Sequence, residues 1–103
     1  MTVDEQMIVC DAVARLVGAL APHRVEAAEA GALLVGDLGY DSLRLVELAM
    51  WLEEVLEAES GALDEAQGIQ TVGDLQEFAL AMVSEGRASV PAEALLLDVI
   101  SNS

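Results

Sequence analysis

Aromatic side chains are scarce in this chain, and the scarcity restricts how the chain can build a core. Its 103 residues are 54% hydrophobic, yet the aromatic residues are only Tyr40, Trp51 and Phe78. The core must therefore be made from Leu, Val, Ile, Ala and Met, a set that favours packed helices over sheets. A chain of this length usually forms one domain. We predict a single all-α unit.

The net charge of the chain is strongly negative, and it excludes several classes of partner. Nineteen acidic residues stand against four arginines and no lysine, which gives a net charge of −15. Such a surface repels phosphate backbones and anionic lipids, so we expect neither nucleic-acid nor membrane binding. Basic protein surfaces are the natural partners. The alternative that the acidity only confers solubility stays open at this point.

The chain contains one cysteine, Cys10, and one histidine, His23. A lone cysteine cannot form an intramolecular disulfide, and no Cys-based metal site is expected; we predict no bound metal. The N-terminus lacks a basic stretch followed by an apolar segment, and no run approaches the roughly 20 apolar residues of a membrane span. These features predict a cytoplasmic protein.

The first predicted helix opens with a capping box. Thr2 is followed three residues later by a glutamate, and apolar residues then recur at helical spacing. We predict a helix over residues 3–20 that ends before Pro22, because proline cannot donate to the helix ladder. Residues 22–40 show no clean period and predict a long loop with at most one helical turn, near residues 25–30.

A second helix is predicted from Leu43 to about Glu57, with Asp41 or Ser42 as its N-cap. Its periodicity places one apolar stripe in the core. A second apolar line falls on another face, among glutamates, and exceeds what one core needs. The inward stripe comprises Leu45, Leu48, Ala49, Leu52, Val55 and Leu56.

The C-terminal third of the chain predicts two more helices. A short irregular segment, with one helical turn near residues 63–66, leads to Thr71, which caps a helix ending near Gly86. Pro91 suits a first helical position, so residues 92–100 predict a short appended helix. Its apolar residues are expected to dock on the rest of the chain, with dimerisation through them as the alternative.

The sequence gives little support for a catalytic or ligand-binding motif of the common kinds. Ser42 has no Gly-x-Ser-x-Gly surroundings, and the only histidine is distant in sequence, which argues against a serine hydrolase. Counted from Asp37, a calcium loop would need glutamate where Leu48 stands. A lysine-containing phosphate loop cannot exist without lysine. We therefore expect that the chain is not an enzyme.

The junction Gly39-Tyr40-Asp41-Ser42-Leu43 carries the most specific signal, and it resembles the Gly-x-Asp-Ser-Leu motif of the acyl carrier protein family, which includes the related peptidyl carriers. The resemblance covers roughly residues 3–85. It implies a small four-helix bundle of three main helices plus one short helix over residues 1–88, with residues 89–103 as a helical tail. The further matching runs are Val46-Glu47-Leu48, Leu52-Glu53-Glu54 and Thr71-Val72-Gly73-Asp74.

The resemblance implies that Ser42, flanked by Asp41 and Leu43, receives 4′-phosphopantetheine from coenzyme A through a separate, magnesium-dependent transferase. The thiol of that arm would hold an acyl or aminoacyl group as a thioester. A serine at a helix N-terminus suits an anionic phosphodiester, because unpaired N–H groups and the positive end of the helix dipole lie there. The alternative is that Ser42 is only an N-cap.

The resemblance also implies that the second helix is read by partner enzymes. These would be the phosphopantetheinyl transferase, an acyl-loading ligase or acyltransferase, and a ketosynthase or another thioester-processing enzyme, acting on a monomeric carrier. Arg44 departs from the acidic residue common at this position in fatty-acid carriers, which favours a discrete carrier of polyketide or nonribosomal peptide biosynthesis. An acidic helical adaptor that works by contact alone is the alternative. The expected contact residues are Leu43, Arg44, Val46, Glu47, Met50, Glu53 and Glu54.

Overall fold

The computed structural model describes residues 2–59, 61–65 and 68–101, and in these residues it contains no β-strand. The predicted all-α class is confirmed. A single turn of 3-10 helix spans Ala62–Glu65, where one turn was predicted; residue 66 lies outside the described residues. The α-helices are α1 (Val3–Leu20), α2 (Ser42–Val55), α3 (Val72–Ser84) and α4 (Glu93–Ser101).

Reciprocal capping boxes begin α1 and α3; the sequence predicted the box at α1 and, at α3, Thr71 as the cap. At α1, Thr2 Oγ1 accepts from the Glu5 N–H and Glu5 Oε1 accepts from the Thr2 N–H, both at 3.1 Å. The same exchange joins Thr71 and Asp74 at α3. Bonds from the N–H groups of Gln70 and Thr71 hold the pKa of Asp74 below its usual value. Local chemistry therefore fixes where both helices begin.

The core lies between α1, α2 and α3, and α1 runs through its centre. Val9, Leu16 and Val17 of α1 have no exposed surface. The radius of gyration is 12.2 Å, close to the roughly 13 Å typical of a 100-residue domain. Other α-helices bury mainly aliphatic side chains against α1: Leu48, Leu52, Val55, Val72, Leu75, Ala79 and Met82.

The C-terminal helix α4 packs on α1 and α2. Leu96 and Val99 are buried in the same core as the other helices, as expected if this segment docks on its own chain. Arg15 of α1 donates to both carboxylate oxygens of Glu93, at 3.0 and 3.2 Å. Surface ion pairs of this kind contribute about 0–1 kcal/mol. Apolar burial is therefore the main force that holds α4 in place.

Two helix boundaries differ from the sequence predictions. Pro91 is not in the first turn of α4; the helix begins at Glu93, and the Leu96 N–H donates to the Ala92 carbonyl, so Pro91 lies one residue before the cap. At the other boundary α2 stops at Val55 rather than near Glu57. Glu57 adopts a left-handed φ of 54°, which is incompatible with continuing the helix.

The chain between α1 and α2 is a long loop, as predicted, but it has no helical turn at residues 25–30. Its N–H groups bond to α1 instead: Val25 donates to the Gly18 carbonyl at 3.1 Å and Ala28 to the Ala14 carbonyl at 3.0 Å. Further along, an isolated antiparallel bridge pairs Leu33 with Thr71. Contacts with distant segments thus replace the local bonds of a helical turn.

Among the described residues, no helix is both long enough and apolar enough to cross a lipid bilayer.

Candidate functional site

The N-terminus of α2 presents Ser42 to solvent. Asp41 is the N-cap: its Oδ1 accepts from the Arg44 N–H at 2.9 Å, and its carbonyl accepts from the Leu45 N–H at 2.9 Å. Of the two caps that the sequence allowed, Asp41 is therefore the one used. Ser42 is the first helical residue and is exposed. Its hydroxyl is available for chemistry because it is not needed for capping.

The electrostatics at this helix end favour an anion beside Ser42. The first N–H groups of any α-helix lack acceptors within the helix. The Asp41 side chain accepts a hydrogen bond from the Arg44 N–H. The N–H groups of Ser42 and Leu43 are left at the positive end of the helix dipole. A phosphodiester on the Ser42 oxygen would lie where such groups are stabilised. The residues present thus fit a covalently attached phosphate-bearing group.

Tyr40 anchors the residues that lead into Ser42. Its side chain is 2% exposed, and its hydroxyl donates to the carbonyl of Val17, in the last turn of α1, at 2.6 Å. Its N–H also donates to the Leu34 carbonyl at 3.0 Å. Burial raises the pKa of the Tyr40 phenol, and the charge of Arg44 acts in the opposite direction. The position of Ser42 is consequently tied to the most buried helix.

Gly39 is required for two separate reasons. Its φ is +81°, a left-handed value that side chains disfavour, and a Cβ there would lie 3.2 Å from His23 Nδ1. The His23 N–H donates to the Leu38 carbonyl at 3.1 Å, which holds the two stretches of the loop together. The glycine of the Gly-x-Asp-Ser-Leu motif is therefore explained by the fold of this loop.

The outer face of α2 carries an exposed apolar stripe. Leu43, Val46 and Met50 are 70%, 57% and 63% exposed, although side chains of this type are usually buried. Arg44 Nη1 lies 3.6 Å from Glu47 Oε2, and Glu54 is exposed nearby. This combination of apolar and acidic groups on one helix is suited to contact with an apolar surface rimmed by basic residues.

Glu53 does not present its charge on this surface, which corrects the expectation from sequence. Its side chain is 7% exposed, and its two carboxylate oxygens accept from the N–H groups of Gly61 at 3.1 Å and Leu63 at 3.0 Å. The carboxylate therefore binds the backbone of the segment that follows α2. Sequence spacing alone could not show this, because the bonds depend on how that segment folds back.

A mostly apolar cavity, open to solvent, lies on the other side of α2, and no pattern in the sequence indicated it. Its volume is 240 Å³, and it opens between α2, the segment around the 3-10 turn, and α3. The expected inward residues Leu45 and Ala49 are only half-buried because they face this space. The remaining lining comes from Leu34, Leu48, Leu52, Leu63, Gly68, Ile69 and Leu75.

Comparison with known proteins finds a partial similarity to acyl carrier proteins. Curated acyl carrier proteins from three strains of Clostridium perfringens are each 54% identical to this chain over 44 residues. Over these residues the chain is similar to acyl carrier proteins. The match spans 43% of this chain and 57% of the length of each of those carrier proteins. No family model matches the chain, and no solved structure matches it significantly.

Most of the site residues expected from the resemblance to acyl carrier proteins lie together at the start and outer face of α2. Asp41, Ser42 and Leu43 are consecutive at its N-terminus, and the expected contact residues other than Glu53 follow on its outer face. Four cavity residues lie outside the α-helices: Leu34, Leu63, Gly68 and Ile69. Their role in a cavity escaped prediction because irregular segments have no periodicity to analyse.

Proposed function

We propose that the chain is a non-enzymatic carrier that holds acyl groups on a 4′-phosphopantetheine arm attached to Ser42. The observation that carries this proposal is the exposed Ser42 at the first position of α2, capped by Asp41 and set in a sequence that resembles the Gly-x-Asp-Ser-Leu motif of the acyl carrier protein family. When bound, the arm supplies a thiol that holds cargo as a thioester. The chain supplies a fixed attachment point and a surface for other proteins.

Two features of the structure support this role. The unpaired N–H groups at the start of α2 would stabilise the phosphate of the arm. The apolar cavity on the inner side of the helix, lined by Leu45 one turn after Ser42, would shelter an apolar cargo from water. The attachment point and the cavity share one helix, so a cargo could move between them without rearrangement of the bundle.

Partner enzymes would dock on the exposed stripe of α2. The proposed partners are a phosphopantetheinyl transferase, a loading ligase or acyltransferase, and a ketosynthase or another thioester-processing enzyme. The apolar residues Leu43, Val46 and Met50 would supply contact area, and the carboxylates would steer basic partners. Association should therefore weaken as salt screens these exposed charges.

We propose more specifically that the chain is a carrier of polyketide or other specialised biosynthesis. It is supported by Arg44, which pairs with Glu47 at 3.6 Å and so reduces the negative charge of the first turns of α2. A partner enzyme that recognises an acidic residue at this position would meet the positive charge of Arg44 instead. A peptidyl carrier with aminoacyl cargo is the alternative, and loading assays with acyl and aminoacyl ligases distinguish the two.

The attachment site is tested by intact-mass measurement after co-expression with a transferase of broad specificity. Wild type should gain the mass of one phosphopantetheine, and Ser42→Ala should gain none while keeping its helical circular dichroism. Ser84→Ala, at another exposed serine, is the matched control and should be modified like wild type. Unmodified wild type with every transferase tried would instead favour an adaptor that works by contact alone.

A further inference from the structure

The segment after α2 forms a wall between an apolar space and a mixed one, which Glu53 also lines. On one side is the cavity of 240 Å³ that reaches Leu75 of α3. On the other is an open groove of 380 Å³ that reaches Val46 and Met50 on the outer face of α2. Leu45, Ala49 and Leu63 line both spaces. Since Leu45 and Ala49 belong to the helix, Leu63 is the part of the wall that the segment contributes.

One buried carboxylate fixes this wall. The N–H groups of Gly61 and Leu63 both donate to Glu53, one to each oxygen, at 3.1 and 3.0 Å. The intervening Ala62 N–H donates to the nearby Glu59 carbonyl. Hydrogen bonds to an ionised acceptor are stronger than neutral ones, and the side chain of this acceptor is only 7% exposed. The orientation of Leu63 thus depends on the Glu53 side chain.

We propose that Glu53 is a positioning residue that holds Leu63 as the inner wall of the cargo cavity and so determines how tightly the cavity binds an apolar chain. The identity of the occupant, the acyl cargo of Ser42, rests on the proposed function; the role of Glu53 in shaping the cavity rests on the hydrogen bonds and the lining residues. Without the carboxylate, the segment is released from α2 and the wall is no longer fixed.

The test compares Glu53→Gln with Glu57→Gln in the unmodified protein. A glutamine amide nitrogen cannot accept, so the first variant leaves one of the two N–H groups facing a donor. Glu57 is an exposed glutamate four residues later and serves as the control. Two quantities are measured: hydrogen exchange of the Gly61 and Leu63 amides, and binding of 1-octanol, an uncharged probe with an eight-carbon chain.

We expect Glu53→Gln to speed exchange of the Gly61 and Leu63 amides by about tenfold or more and to weaken octanol binding by up to the same factor. Glu57→Gln should change neither quantity. Unchanged exchange in Glu53→Gln would overturn the proposal. Faster exchange with wild-type octanol affinity would overturn it too, because the wall would then not determine binding.

A measurement on wild type decides the matter if Glu53→Gln does not fold. Bound octanol should show nuclear Overhauser contacts to the methyl groups of Leu63 and Leu75, and contacts that omit Leu63 would refute its role as a wall. None of these measurements needs a modified Ser42. Failure of the carrier proposal, seen as absent modification by mass, is therefore distinguishable from failure of the proposal for Glu53.

Discussion

The two irregular connections on either side of α2 are held in different ways. The loop before it, residues 21–41, bonds through its backbone to α1 and to the chain that enters α3, and it buries Leu34, Leu38 and Tyr40. In the connection after it, the N–H groups of Gly61 and Leu63 bond to one side chain, Glu53. The first loop is therefore held mainly by backbone bonds, whereas residues 61–63 of the second are held by one side chain and by the burial of Ala62 in the core.

This difference matches what the carrier proposal requires of each connection. The proposed attachment residue, Ser42, would have to be held in one place, and the first loop ties the residues before it to buried backbone through Tyr40. The proposed cargo cavity would need a boundary that opens at lower cost than global unfolding. Regions with few anchoring contacts open locally. We therefore expect the first loop to be the more costly of the two to disturb.

The strongest test of this comparison is Tyr40→Ala. The substitution removes a ring that is 2% exposed and leaves the Val17 carbonyl without its donor. Replacing a buried aromatic residue by alanine costs about 3–5 kcal/mol, and we expect a loss of that size in the free energy of unfolding measured with urea. A loss below 1 kcal/mol would show that the loop is not anchored in the core.

A smaller effect in the same loop is expected for Gly39→Ala. A left-handed backbone costs an alanine roughly 1–2 kcal/mol, and the new Cβ would crowd His23 Nδ1 at 3.2 Å. Gly31→Ala is the matched control, because nothing lies within 4 Å of its Cβ position and its φ is not left-handed. Urea unfolding should show a loss for the first variant and no loss for the second; equal losses would argue against this loop geometry.

The smallest effect is expected in the connection after α2, for Leu63→Ala. Full burial of a leucine contributes about 1.5–3 kcal/mol, and Leu63 is only half-buried, so we expect a loss of about 1 kcal/mol. Urea unfolding measures it on the same scale as Tyr40→Ala. A loss for Leu63→Ala that equals or exceeds that for Tyr40→Ala would reverse the ranking of the two connections.

Features that depend on neighbours in sequence could be predicted from the sequence. The helix starts at Thr2, Asp41 and Thr71 follow from capping side chains that reach only three residues ahead. The exposed line of Leu43, Val46 and Met50 follows from helical periodicity within fourteen residues. The main helices and the position of Ser42 were therefore correctly predicted without any knowledge of tertiary contacts.

Features that depend on distant segments could not be predicted in this way. Glu53 looks like its exposed neighbour Glu54 in sequence, and only the return of Gly61 and Leu63 makes it a buried acceptor. Likewise Val25 could have continued a helical turn, but its N–H donates to Gly18 of α1 instead. In both cases the outcome depends on a hydrogen-bond partner that is distant in sequence and close in the fold. Local helix propensity alone does not favour either alternative strongly.

The two-sided construction of α2 has an evolutionary consequence. Its inward residues, among them Leu48 and Leu52, are constrained by packing, whereas Leu43, Val46 and Met50 touch mostly solvent. Surface substitutions away from caps and networks usually change stability by less than about 0.5 kcal/mol. Under the carrier proposal, duplicated genes for such a chain could diverge in docking preference while keeping one scaffold, which would let several carriers coexist in one cell without exchanging their cargo.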